Sequence, residues 1–167
     1  AGERLIALAG EAGIPVRSMG KGDVLSLGEL RLEALGPSGE MPEETSANER
    51  SLVLRASAPG FSVLFAGDVE EVGQEFLLRQ DLSLDSDILK VPHHGGYAAT
   101  GASFFAVVDP EVAVISVGED NLYGHPARST LDTLERLGCA VYRTDRRGDI
   151  LVRVDRGGYR VECERQD

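Results

Sequence analysis

Apolar positions at the start of the chain follow two periods, which predict a helix and then a β-hairpin. Residues 3–12 place apolar side chains on one helical face, and Gly13 ends that helix. Residues 29–35 alternate apolar and polar side chains, as in a half-buried strand, and the short run 24–28 precedes them across a turn. We therefore expect an N-terminal helix followed by an antiparallel strand pair.

The rest of the chain alternates short apolar runs with helical patterns, which predicts a mixed β-sheet with flanking helices. A polar loop is expected over residues 36–49, where Pro, Ser, Gly and Glu replace the apolar pattern. The last two strands read as a hairpin through residues 155–158. The predicted strands are 51–56, 61–66, 87–91, 112–117, 139–142, 150–154 and 159–163, and the predicted helices are 69–79, 103–108 and 126–137.

Composition and charge are those of one globular domain. The chain has 167 residues with 42% hydrophobic residues, and its apolar runs are far shorter than the ~18 residues that span a bilayer, so we expect no membrane insertion. The net charge of −11 disfavours a nonspecific nucleic-acid binder, which would use Lys and Arg to neutralise phosphates. The chain starts directly in a helical pattern without an initiator Met, which predicts that it is part of something longer.

Three predicted strands each end in a side chain that can bind a metal ion. Asp68 follows one strand, His93 and His94 follow the next, and His125 follows a third within Tyr123-Gly-His-Pro126. In open α/β sheets, ligands and chemistry gather at the carboxyl ends of the strands. Imidazole and carboxylate groups together suit zinc, manganese or iron. These residues are too few for a closed dinuclear site, although they could hold one catalytic zinc.

Each of these residues also has a simpler interpretation. Asp68 precedes a predicted helix and has Glu71 three positions later, as in a capping box. The histidine pair can be structural. His125 can make a local hydrogen bond, or it can contact a phosphate at the N-terminus of the helix that follows Pro126, without any metal.

Six motifs resemble, in order and spacing, the C-terminal metallo-β-lactamase-like domain of ComEC-type competence proteins. The resemblance extends from residue 1 to about residue 154. It implies the C-terminal part of an αββα metallo-hydrolase fold, related to phosphodiesterases and nucleases. The motifs are Asn48-x-x-Ser-Leu-Val-Leu, Leu64-Phe-Ala-Gly-Asp68, Leu89-Lys-Val-Pro-His-His-Gly95, Val114-Ile-Ser-Val-Gly118, Asn121-x-Tyr-Gly-His-Pro126 and Thr144-Asp-x-x-Gly148.

The resemblance also implies a site, a cofactor and partners. Asp68 would be the carboxylate that bridges two divalent ions, zinc or manganese, and His94 would bind the second ion. His93 would be an alternative ligand or a proton carrier, and His125 with Asn121 would face the phosphodiester. ComEC-type proteins form the inner channel for DNA uptake, so the implied partners are DNA and the membrane channel of the same polypeptide. The implied location is the extracytoplasmic side of the cell membrane.

One departure from the family pattern limits what the chain is expected to do alone. The family's leading His-x-Asp-x-Asp-His motif, which binds most of the metal, is absent from this sequence. Residues 1–167 are therefore expected to be one partial domain of a metal-dependent nuclease, inactive by itself. The alternatives are a non-catalytic scaffold or partner-binding half-domain, and a hydrolase of small phosphoesters or thioesters. A partial sandwich should also leave an apolar seam uncovered and self-associate.

Overall fold

The computed structural model consists of a seven-stranded sheet, a separate two-stranded hairpin and five helices among the residues that it describes. It describes residues 2–37, 39, 41–42, 44–99, 101–155 and 157–166. The strands are β1 (Val24–Leu27), β2 (Leu30–Gly36), β3 (Val53–Ala58), β4 (Phe61–Phe65), β5 (Ile88–Lys90), β6 (Val112–Ile115), β7 (Ala140–Arg143), β8 (Ile150–Asp155) and β9 (Gly158–Cys163). The helices are α1 (Gly2–Glu11), α2 (Glu71–Leu78), α3 (Ala102–Val108), α4 (Arg128–Arg136) and α5 (Thr144–Arg147), with short 3₁₀ turns at Pro92–Gly95 and Tyr97–Ala99.

The large sheet is mixed, and its strands lie side by side in chain order from β1 to β7. Strands β1 to β4 pair antiparallel, whereas β4 to β7 pair parallel. Helices α2, α3 and α4 connect the parallel strands in turn. The fold class predicted from the sequence, a mixed sheet with flanking helices, is confirmed. Because parallel strands end at one edge, the segments that follow β4, β5 and β6 lie together.

Alternating side chains of the parallel strands enter two separate cores. Leu64, Leu89 and Ile115 are buried in the larger core, which contains Phe104 of α3 and Leu134 of α4. Side chains on the opposite face of the sheet form a smaller core with the β8–β9 hairpin, and they include Val63, Ile88 and Val112. The hairpin is therefore a second layer on the sheet and not an extension of it.

Several predicted boundaries shift. The helix expected from Pro126 begins at Arg128, and the helix expected over 69–79 spans Glu71–Leu78. The predicted loop 36–49 includes positions 38, 40 and 43, which lie outside the described residues, as do Ala1, at the start of the resemblance, and Arg156, in the predicted hairpin turn. Within the described residues no helix is long and apolar enough to cross a membrane.

Apolar surface is uncovered along helix α1 and beside the β8–β9 hairpin. Helix α1 forms as predicted, but its apolar side chains stay in solvent, with Leu5 67% exposed. A groove of about 460 Å³ lies between the large sheet and the hairpin, and its walls include Phe61, Phe65 and Val152. The ring of Phe65 is 45% exposed there. Uncovered surface of this kind is what the sequence predicts for a partial sandwich, and self-association through it stays a prediction.

Candidate metal centre

The segments that follow β4, β5 and β6 bring four of the five predicted site residues to one edge of the sheet. The ring centroids of His93 and His94 lie 6.3 Å apart, and those of His93 and His125 lie 5.7 Å apart. Nε2 of His94 lies 3.9 Å from Oδ1 of Asp68. The fifth predicted residue, Asn121, is in the loop that carries His125. Residues up to 57 positions apart in sequence thus form one cluster.

Asp68 is positioned by a close approach between two strand ends. Gly67 has a φ of 58°, and a Cβ atom there would lie 2.8 Å from Cβ of Ser51. A side chain at position 67 would therefore be strained both by the backbone and by this contact. The hydroxyl of Ser51 accepts the backbone N–H of Asp68 at 3.0 Å. These contacts give a physical reason for the Gly-Asp pair and for the serine of the first motif.

The interpretation of Asp68 as a helix N-cap is wrong. Helix α2 begins at Glu71, and the preceding residue makes no side-chain cap. The free N–H groups are satisfied instead by the carboxylate of Glu49, which accepts from Val72 at 3.1 Å and from Gly73 at 2.6 Å. A carboxylate at a helix N-terminus is favoured by both hydrogen bonding and the helix dipole. The carboxylate that caps this helix therefore comes from a residue distant in sequence, and the carboxylate of Asp68 lies in the cluster beside His94.

The ring of His94 is oriented as in a metal-binding histidine. Its Nδ1 lies 2.6 Å from the carbonyl oxygen of Ser116, and a carbonyl can only accept, so Nδ1 carries the proton. In the neutral ring the lone pair is then on Nε2, the atom that faces Asp68. Metal-binding histidines commonly donate their second N–H to a carbonyl or carboxylate in this way.

Both histidines of the pair adopt a backbone conformation that is unusual outside glycine. The φ angles are 45° for His93 and 54° for His94. Such left-handed positions cost about 1–3 kcal/mol each and are enriched at functional sites. This backbone conformation brings two adjacent histidine rings into the cluster from one short turn. Adjacent residues of a regular strand would point to opposite faces of the sheet.

Lys90 is a member of the cluster that the sequence interpretation missed. Its ammonium donates to the carbonyl of Gly67 at 3.0 Å and lies 3.8 Å from Oδ1 of Asp68. Burial lowers the pKa of Lys90, and the neighbouring charge of Asp68 opposes this shift. The residue occupies a strand position, where a lysine next to Val and Pro gives no signal of its own.

Glu70 is the second residue that was missed. Its Oε1 lies 2.8 Å from Nδ1 of His93, at ion-pair distance although the ring is not aligned for a hydrogen bond. The same oxygen accepts a hydrogen bond from Nδ2 of Asn48 at 3.0 Å. Asn48 is the first residue of the first motif, and it was the sequence feature that could have pointed to a contact with the segment of Glu70. Glu70 therefore places a negative charge beside His93.

Asn121 holds the loop of His125 through its own side chain. Its Nδ2 donates to the carbonyls of Gly118 at 3.1 Å and His125 at 2.9 Å, while its Oδ1 accepts the N–H of His125 at 2.9 Å. These contacts position His125. Direct contact of Asn121 with a substrate stays a prediction.

An open recess of about 430 Å³ lies beside the cluster. Partial burial lowers the pKa of His125, and the charges of His93 and His94 lower it further. Volumes of this size are typical of small-molecule sites, for which the range is ~300–1,000 Å³. The walls are His94, Ser116, Val117, Gly118, Asn121, Tyr123, His125 and Thr144.

The donors present would supply part of a metal site. Within the described part of the chain, no group of three or more His, Cys, Asp or Glu side chains is arranged to hold an ion. Asp68 and His94 contribute one carboxylate and one imidazole nitrogen 3.9 Å apart. Both are suitable ligands for zinc or manganese, and a catalytic zinc commonly has three protein ligands. The pair therefore fits an incomplete site that needs further ligands.

Comparison with known proteins gives three relatives associated with competence or recombination. The chain is 36% identical to "ComE operon protein 3" of Bacillus subtilis over 151 residues, which is 90% of this chain and 19% of that protein. It is 34% identical to "Competence protein ComA" of Neisseria gonorrhoeae over 69% of this chain and 17% of that protein. It is 32% identical to "Recombination protein 2" of Haemophilus influenzae over 63% of this chain and 13% of that protein. The chain thus spans less than a fifth of the length of each relative.

Comparison of structures identifies a related fold. A crystal structure of a protein assigned as a metal-dependent hydrolase from Parabacteroides distasonis matches with a TM-score of 0.51 at 18% sequence identity. The match covers 82% of this chain and 60% of that one. No family model matches the sequence. The similarity therefore establishes a shared fold, of which this chain covers the larger part.

Proposed function

This chain belongs to the ComEC family of competence proteins, and we propose that it supplies one side of the metal site of a phosphodiesterase that hydrolyses DNA during DNA uptake. The observation that carries the proposal is the pairing of Asp68 with a preoriented His94. The free Nε2 of His94 faces Oδ1 of Asp68 at 3.9 Å, while Ser116 holds the opposite ring nitrogen. A purely structural histidine does not require an open ring nitrogen opposite a carboxylate.

The proposed reaction is hydrolysis of a phosphodiester bond. Asp68 and His94 would hold a divalent ion, zinc or manganese, with further ligands from outside these residues. A divalent ion in such a site lowers the pKa of a water and offsets the charge of the phosphate. The ammonium of Lys90 lies 3.8 Å from Oδ1 of Asp68 and would partly offset the negative charge of that carboxylate.

The other two histidines are suited to moving protons and contacting the substrate. Oε1 of Glu70 lies 2.8 Å from Nδ1 of His93, and a histidine that faces a carboxylate in this way is suited to the role of proton carrier. The ring centroid of His125 lies 5.7 Å from that of His93, and His125 borders the open recess. We place the scissile phosphodiester there. His125 would then contact the phosphate or protonate the leaving oxygen.

The proposed partners follow from the family. The substrate would be DNA, and the chain would act beside the membrane channel of the same polypeptide, on the extracytoplasmic side of the cell membrane. With a net charge of −11, the chain has no electrostatic preference for DNA unless bound cations or local contacts provide one.

A non-catalytic interaction role is the second candidate, and the uncovered apolar surface favours it. Helix α1 exposes its apolar side chains, and the groove beside Phe65 is open. Either surface could bind the remainder of a larger domain or a second copy of the chain. Under this hypothesis the histidine loops are needed only for folding.

Cleavage assays distinguish these candidates. The chain and a version extended at its N-terminus by about 100 residues, as half of an αββα domain requires, would be incubated with labelled DNA in Mn²⁺ or Zn²⁺. Parallel reactions would contain a small phosphodiester or a thioester. We expect the extended version alone to cut DNA, with its activity removed by EDTA. Cleavage of the small esters without DNA cleavage would indicate the third hypothesis, and no cleavage of any substrate would favour the interaction role.

A further inference from the structure

The loop between β6 and α4 exposes two apolar side chains beside the cluster. Leu122 is 98% exposed and Tyr123 is 83% exposed. Both lie in the loop that also carries His125. Exposed apolar side chains are common on protein surfaces, so exposure alone does not indicate a site. The local geometry of Tyr123 is what separates it from other exposed residues.

This loop is held in one conformation by its own hydrogen bonds. The side chain of Asn121 makes three of them, to the carbonyls of Gly118 and His125 and to the N–H of His125. Tyr123 lies between Asn121 and His125 in sequence, so the loop backbone is held on both sides of it. A side chain on a loop whose backbone is held loses less conformational entropy on binding than one on a flexible loop, so the loop is preorganised for a ligand.

The ring of Tyr123 is nearly parallel to the ring of His125. The two planes differ by 20° and the centroids are 5.8 Å apart. Both residues border the recess of about 430 Å³. Because Tyr123 and His125 are neighbours at one recess, a nucleotide with its phosphate at His125 has the ring of Tyr123 within reach for its flat base.

The charges of the loop favour a stacking contact with a base over binding along the phosphate backbone. Glu119 and Asp120 lie in the same loop, and the side chain of Glu119 is 3.7 Å from Arg165. These two acidic residues disfavour an extended path for the phosphate backbone along the loop, but they do not line the recess that His125 borders. Aromatic stacking does not depend on charge, and every nucleobase has a π-face that can take part in it.

We propose that Tyr123 is a specificity-determining residue that stacks on an unpaired nucleobase next to the scissile phosphodiester. The proposal rests on the proposed function, because it takes His125 as the phosphate contact. It assigns the site to unpaired nucleotides, since a base inside a duplex cannot offer its face to the ring.

Oligonucleotide binding to the chain tests this role. Fluorescence anisotropy at low salt would compare wild type, Tyr123→Ala, Tyr123→Phe and Tyr97→Ala with a labelled single-stranded oligonucleotide. Tyr97 is a matched control because it is 81% exposed but does not border the recess. We expect Tyr123→Ala to raise Kd about 10- to 100-fold, and the other two variants to stay within about 2-fold of wild type.

An abasic oligonucleotide of the same length provides the decisive comparison. Wild type should bind it more weakly than the normal oligonucleotide, and Tyr123→Ala should cause little further loss. An equal loss on both oligonucleotides, no effect of Tyr123→Ala, or no oligonucleotide binding by wild type at ~1 mM would overturn the proposal. Base-dependent binding through Tyr123 in a protein that does not cut DNA would uphold it and contradict only the proposed function.

Discussion

Replacing Asp68 by asparagine is expected to lower DNA cleavage by the N-terminally extended chain about 10³-fold or more. The change keeps the size of the side chain and removes the charge that would bind the ion. Metal ions contribute several kcal/mol to the stabilisation of charge in such reactions, and each 1.4 kcal/mol corresponds to a factor of ten in rate. The initial rate of cleavage of labelled DNA in Mn²⁺ measures the effect. His94→Ala should give a loss of similar size.

A matched substitution separates this effect from a general change in charge. Asp81 is an exposed aspartate in the segment that follows α2, away from the cluster, so Asp81→Asn should leave cleavage within about 2-fold of wild type. Circular dichroism would establish that all variants are folded. Full activity of a folded Asp68→Asn protein would remove Asp68 from the metal site.

Replacing Gly95 by alanine is expected to destabilise the chain by about 2–4 kcal/mol. Gly95 has a φ of 77°, and a Cβ atom there would lie 2.7 Å from Cβ of Pro126. Its carbonyl also accepts hydrogen bonds from the N–H of Ala127 at 2.8 Å and from the hydroxyl of Thr130 at 2.9 Å. Backbone strain and overpacking each cost about 1–3 kcal/mol, and here they act together. Urea denaturation followed by circular dichroism measures the free energy of unfolding.

Gly118→Ala is the control for this experiment. No heavy atom lies within 4 Å of a Cβ built at Gly118, although the residue borders the same recess. Its substitution should change the free energy of unfolding by less than about 1 kcal/mol. If Gly95→Ala were as stable as wild type, the close packing of the two loops against each other would be incorrect.

The sequence predicted the fold class because apolar periodicity directly reflects burial. The parallel strands β4, β5 and β6 are short apolar runs, and each was recognised within a few residues. The position of the β8–β9 hairpin was not predictable in the same way. Its half-buried pattern is compatible either with an additional edge strand pair or with a separate layer, and packing against Val63 and Ile88 decides between them.

The clustering of the candidate site residues could be predicted only where a motif coincides with a strand end. Asp68, His94 and His125 follow this rule. The function of Glu49 as the cap of α2 was hidden because it acts on a helix 22 positions later, and local sequence pointed to Asp68 instead. Glu70 was missed for a similar reason, since a glutamate near the start of a helix has an adequate local explanation in the helix dipole.

Metal binding by Asp68 and His94 is tested most directly by titration of the extended chain with Zn²⁺ or Mn²⁺, by calorimetry and, for Zn²⁺, by NMR of the histidine ring nitrogens. We expect Zn²⁺ to shift the resonance of Nε2 of His94 while Nδ1 stays protonated on the carbonyl of Ser116. Asp68→Asn and His94→Ala should each weaken binding, and the shorter chain should bind much more weakly, because among the residues that the structure describes Asp68 and His94 form an incomplete ligand set. Metal binding that is unchanged by both substitutions would exclude Asp68 and His94 as ligands and would leave the histidine loops with a structural role.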